Sequence, residues 1–138
     1  MTEKKAKSIP AISLKSLGGA APEFPMPIEL TRHDGSTLTV NWTIKGLRKS
    51  AWAGRRDEYL KAIRADDKPA EGEFSFANLV SAGVKEAAEL ITKAAIGWDL
   101  ADELTADNIV ELEDIQPGVI SATLTKIDAA LFQGRLGN

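Results

Sequence analysis

Residues 28–45, IELTRHDGSTLTVNWTIK, decide the fold class. In the second half of this stretch Leu38, Val40, Trp42 and Ile44 alternate with Thr37, Thr39, Asn41 and Thr43. Side chains on a strand point to opposite faces in turn, so an apolar residue at every second position marks a strand with one buried face. The residues are mostly β-branched or aromatic, as strands favour. In the first half Ile28 and Leu30 alternate with Glu29 and Thr31, and Asp34-Gly35 lies between the two runs. That pair suits a tight turn, because glycine accepts a positive φ without a Cβ clash. A β-hairpin over 28–45 is therefore predicted. Two strands alone are marginal in water, so its apolar face needs helices or another chain to cover it.

The chain after the hairpin reads as helices. Over 47–65, Trp52, Tyr59, Leu60 and Ile63 fall near one face, with Arg48, Lys49, Arg55, Arg56, Lys61 and Arg64 around the rest. Gly54 weakens this helix by roughly 1 kcal/mol relative to alanine. The stretch DDKPAEGE, with Pro69 and Gly72, reads as a loop. Residues 75–96 form the most regular pattern, with Phe76, Leu79, Val80, Val84, Ala87, Ala88, Ile91, Ala94 and Ala95 at spacings of three and four. Ser75 is its expected N-cap and Gly97 its stop, with Trp98 expected to fold back on the helix end. Thr105 is expected to cap a short helix over 106–114, with Ile109 and Leu112 facing inward. A last helix is expected over 117–133, with Pro117 in its first turn, Ile120, Leu124, Ile127 and Leu131 as its stripe, and Gly134 at its end.

Upstream of the hairpin, residues 1–24 are expected to be a flexible arm. Lys4, Lys5, Lys7, Pro10, Gly18, Gly19 and Pro22 leave too little apolar surface to offset chain entropy. Pro25 and Pro27 are expected to hold the chain extended and to delay regular structure. The predicted fold class is α+β: a mainly α-helical domain over 25–138 with an N-terminal β-hairpin and about four helices.

At 138 residues the chain fits one domain. It has no cysteine, which excludes disulfides, thiolate metal sites and cysteine nucleophiles. No apolar run approaches the roughly 20 residues that span a bilayer. The opening MTEKKAKSIP lacks the apolar core of a secretory leader, so the cytosol is the expected location. The net charge of −3 hides an asymmetry: residues 1–65 carry 12 Lys/Arg against 6 Asp/Glu, and residues 66–138 carry 5 against 14. Complementary halves of one fold, head-to-tail self-association and separate faces for two partners all fit such a split.

A search for chemistry finds none that holds. His33 stands beside Asp34 in the hairpin turn, half of a triad at most, and no serine sits in a nucleophile-elbow pattern. Residues 99–114 carry Asp99, Asp102, Glu103, Asp107, Glu111, Glu113 and Asp114, without EF-hand spacing or a glycine turn inside the cluster. A solvated acidic face or a partner surface explains them better than a metal. Residues 45–64 mix seven basic side chains with Trp52 and Tyr59, a footprint that also suits nucleic acid. Trp52 and Tyr59 lie seven apart, hence on one face, and core packing is the commoner use of such a stripe. No glycine pattern cradles a phosphate. The expectation is a binding protein with no catalytic residue, cofactor or metal, and not an enzyme.

From about Phe74 onward the sequence resembles the tail assembly chaperones of long-tailed phages. The resemblance is carried by LITKAAIGWDLADELTADNIVELEDIQPGVISATLTKIDAALFQGRLGN: a helix running into Gly97-Trp98-Asp99, then an acidic linker, then Leu104-Thr105-Ala106-Asp107-Asn108-Ile109 opening the next helix. It ends on the tail Gly134-Arg135-Leu136-Gly137-Asn138. The resemblance implies a chaperone in the cytoplasm of the bacterial host. It would bind the tape measure protein, a very long helical and apolar chain, help the tail tube assemble, and be absent from the mature virion. The tail-tube protein is a second implied partner, a longer frameshifted form is common in such families, and no small molecule or membrane is involved. A homo-oligomer fits the charge halves and the free hairpin edges. Trp52, Trp98 and Phe132 are expected near the contact surface, with core packing the competing role for Trp98. The alternatives are a structural tail or neck component retained in the virion and a nucleic-acid-binding regulator using residues 45–64.

Overall fold

The computed structural model describes residues 11, 13–17, 22–66 and 75–136. Most of the arm expected over 1–24 and nearly all of the loop expected over 66–73 lie outside these residues. Within the arm, α1 (Leu14–Leu17) is a short helix with both leucines exposed.

Strands β1 (Glu23–Thr31) and β2 (Thr37–Lys45) form the expected hairpin, in register from Glu23 opposite Lys45 to Thr31 opposite Thr37. Gly35 takes a φ of 89° in the turn. The hairpin starts earlier than the sequence pattern indicated, with Pro25 and Pro27 inside β1. The sheet order β1-β2-β3 makes β1 an edge strand. Gly46 N–H donates to Pro22 O and Arg32 N–H to Ser36 O, so even-numbered positions of this strand face β2 and odd-numbered ones face outward. The two prolines therefore lack N–H groups only on the free edge, where no ladder bond is lost. Gly46 is needed where the strands close, since a Cβ there would stand 2.6 Å from Pro22 O.

The long helix expected over 75–96 divides into three elements. These are α3 (Phe76–Ser81), α4 (Val84–Thr92) and a third strand, β3 (Ala95–Trp98). Gly83 has a φ of 76°, in the left-handed region, and separates the two helices. Strand β3 pairs antiparallel with β2, Trp42 opposite Trp98 and Ile44 opposite Ala95, with a register shift between Thr43 and Ile44. Pairing here satisfies the second edge of β2, a tertiary gain that local helical periodicity cannot register. The Asp99 carboxylate then pins the strand end, accepting from Asn41 N–H at 2.9 Å and from Asn41 Nδ2 at 2.7 Å.

The remaining helices are α2 (Lys49–Asp66), α5 (Ala106–Ile115) and α6 (Val119–Gln133). Ser75 and Thr105 cap α3 and α5 as expected, each side chain accepting an N–H from the third residue on. Gly134 closes α6 at a φ of 70°. Pro117 sits just outside α6, whose first turn is capped by the Glu113 carboxylate, accepting from Gly118 N–H and Ile120 N–H.

The fold is thus α+β, a three-stranded antiparallel sheet under a mostly helical layer. Met26, Ile28, Val40, Trp42 and Ile44 from the sheet join Trp52, Ile91, Ile109, Val119 and Ile127 from the helices in one buried cluster. Each large side chain so buried stabilises the fold by roughly 1.5–3 kcal/mol. No helix among the described residues is long and apolar enough to cross a membrane.

Candidate partner-binding surface

Helix α2 is fixed on α6 by one carboxylate. Asp128 Oδ1 accepts from Trp52 Nε1 at 2.7 Å and from Arg56 Nε at 3.1 Å, and Asp128 Oδ2 accepts from a second Arg56 nitrogen. The Arg56 guanidinium also lies 5.9 Å from the ring centroids of both Trp52 and Tyr59. A part-buried guanidinium between two aromatic faces and a bidentate carboxylate has little freedom. Trp52 is wholly buried, and its ring points into the core. Neither a partner protein nor a nucleobase meets that ring at the surface.

The other two residues expected at a contact lie elsewhere. Trp98 is half-buried on β3, its ring 5.3 Å from that of Trp42 at 44° and its Nε1 donating to Asp102 O at 2.7 Å. Its fold-back is thus onto the sheet and the following loop, not onto a helix end. Phe132 is half-buried near the end of α6, packed against the core. Trp52 is bonded to Asp128, one turn before Phe132 on α6, whereas Trp98 lies apart from both on β3.

Apolar surface stands open at positions that pattern reading placed in the core. On α3, Phe76, Leu79 and Val80 are 74%, 59% and 71% exposed, and the helix has no buried residue. Beside it, α2, the α3–α4 turn and α6 enclose a groove of about 390 Å³, with Tyr59, Val84, Ala87, Ile120 and Leu124 among its walls and Arg56 at its edge. A second groove, of about 320 Å³, runs between β1 and α6 over Phe24, Met26, Ala129 and Ala130, with Lys126 and Arg135 alongside. Apolar side chains gathered in this way make these places the candidate surfaces for association. Gly83 was the available signal: a glycine inside an otherwise regular helical stripe hints that the two sides of it pack differently. Ala129, Ala130 and Arg135 carried no comparable mark.

Two carboxylates from the charged stretches are occupied structurally. Asp34 accepts from the Ser36 hydroxyl and N–H, which together hold its carboxyl below the ordinary range, and among the described residues no hydrogen bond joins it to His33. Asp99 is held below its usual value by the Asn41 side chain first and then by the Asn41 N–H. Among the described residues no three His, Cys, Asp or Glu side chains converge on a metal position.

A family model described as phage tail assembly chaperone matches residues 11–138. The match covers nearly the whole chain, and the chain belongs to that family. Membership implies a protein that acts on other proteins during tail assembly rather than by catalysis. No curated protein and no solved structure matches it.

Trp52→Phe removes the indole donor to Asp128, a hydrogen bond to an ionised group worth roughly 1.5–3 kcal/mol. Its urea midpoint should fall by a corresponding amount with an unchanged slope, and an unmoved midpoint would show that the Trp52–Asp128 bond contributes nothing. Asp99 has a depressed folded-state pKa, so its contribution is present above 3.8, its ordinary value, and is lost as pH falls below that. The Tm gap between the wild type and Asp99→Ala should be open at neutral pH and close below 3.8. A gap independent of pH would contradict the assignment.

Proposed function

We propose, from membership of the phage tail assembly chaperone family, that this protein binds the tape measure protein and keeps its apolar helices soluble. It would do so until tail-tube subunits assemble around that chain, and then be left out of the mature virion. The work is done in the cytoplasm of the bacterial host, without cofactor or catalysis. The observation that carries the reading is the apolar face of α3 beside the α2–α6 groove, outside a core that is already complete.

A long amphipathic helix aggregates through its apolar stripe unless something covers it. Leu79 and Val80 offer side chains of the same kind at the surface, and the adjoining groove offers a concave wall in which Val84, Ile120 and Leu124 alternate with the polar Glu113, Ser121 and Thr125. Helix-in-groove docking reads anchors at helical spacing rather than sequence, which suits a partner with many similar segments. Trp98 and Phe132 are half-buried and are assigned to the contact surface. Trp52 acts from beneath, holding Arg56 at the groove edge.

The tail-tube protein is proposed as a second partner. Self-association is proposed through opposite charge: Lys49, Arg55, Lys61 and Arg64 are exposed on α2, and Asp107, Glu111 and Asp114 on α5.

Co-expression with the tape measure protein tests the reading. The wild type should keep that protein in the soluble fraction. Leu79→Glu with Val80→Glu should return most of it to the pellet, while the Tm of the double variant stays near that of the wild type because neither side chain is buried. Equal insolubility of the tape measure protein with and without the wild-type chain would contradict the proposal. Recovery of the protein in purified virions would favour a structural tail component instead.

A further inference from the structure

We infer that the groove between β1 and α6 is a second docking site, one that takes an amphipathic helix whose apolar stripe is flanked by carboxylates. The inference rests on the tape-measure reading above and names the kind of segment gripped.

The chemistry of the groove is one-sided. Its floor is apolar, from Phe24, Met26, Ala129 and Ala130, and the charged side chains lining it are Lys126 and Arg135, both cations. Among the described residues neither forms an ion pair. Lys126 Nζ donates only to a neutral acceptor, Pro27 O, at 3.1 Å. The chain as a whole is acidic, yet this groove is lined without a carboxylate. Two cations beside an apolar floor complement a segment that brings carboxylates next to apolar side chains, and they oppose one that brings lysines.

The backbone decides between a strand and a helix as occupant. An added strand would need alternating N–H and C=O groups along the free edge of β1. The outward positions of that edge include Pro25 and Pro27, which have no N–H, and the Pro27 carbonyl is already taken by Lys126. A helix satisfies its own backbone and needs only side-chain contact. Ala129 and Ala130 present small side chains on α6 and so allow a second helix to approach closely. The chain's own N-terminal segment is a poor occupant by charge, since it carries Lys4, Lys5, Lys7 and Lys15 against Glu3.

The test uses the full chain and two fluorescent synthetic helices of about five turns. Both carry leucines at helical spacing; one has glutamates flanking the stripe and the other lysines. The glutamate-flanked peptide should bind at least roughly tenfold more tightly than its lysine twin, and the difference should shrink as salt is raised. Lys126→Glu with Arg135→Glu should reverse the order. Should the double variant misfold, Arg135→Glu alone changes an exposed residue past the end of α6 and should still narrow the preference. Amide shifts on adding the preferred peptide should map to residues 24–27 and 126–136.

Equal binding of the two peptides, a preference that survives the charge reversal, or a shift map centred on α3 would each overturn the inference. The two readings fail separately. If the peptides bind alike while the wild type keeps the tape measure protein soluble, the groove assignment falls and the chaperone reading stands. If the preference holds while the tape measure protein stays insoluble, the groove's specificity stands and the partner's identity falls.

Discussion

The structure depends on covering one face of β2. Val40, Trp42 and Ile44 on that strand are wholly buried, and β2 is the central strand, so both its edges and its inner face must be satisfied at once. The hairpin partner closes one edge and β3 the other. The inner face then packs into the same cluster as Ile91, Ile109, Val119 and Ile127. A face this apolar cannot remain in water, and the helices that cover it spend their own stripes doing so. Among what stays outside are the apolar side of α3, Ile115 at the end of α5 and the two grooves that flank α6. That division leaves the chain with a packed core and apolar side chains outside it.

The core and the exterior meet at Asp128. It gathers Trp52 and Arg56 of α2 onto α6 and so sets the spacing of the groove that Arg56 edges. The carboxylates that looked like a possible ligand cluster divide in the same way between structure and surface. Asp99 ties the loop after β3 to β2, and Glu113 caps α6, whereas Asp107, Glu111 and Asp114 stay exposed on α5. Charge on this protein is therefore partly a fastening and partly a surface, and only the surface part is available to partners.

Much of the fold was legible in the sequence because it is written in local terms. The alternation through Trp42, the turn at Gly35 and the caps at Ser75 and Thr105 each act over a few residues. The elements that were misjudged depend on distant ones. Pro25 and Pro27 look like strand breakers until β1 is known to be an edge strand. Ala95 and Ile96 continue a helical pattern, with Gly97 as its stop, until β2 is seen to need a second neighbour. The candidate surface was harder still. Large aromatic residues draw attention as contacts, but Trp52 went to the core because its size gains most from burial. The open grooves are bordered by Ala129, Ala130 and Arg135, whose significance comes only from what lies across from them.

The account's central claim is that a partner binds to apolar surface left over outside a completed core. Amide hydrogen exchange on the complex with the tape measure protein tests this most directly. The account predicts new protection on α3 and along β1 and α6, with the slow amides of β2 unchanged. Faster exchange in β2 on binding would contradict it, because the partner would then be held by opening the core rather than by the surface outside it.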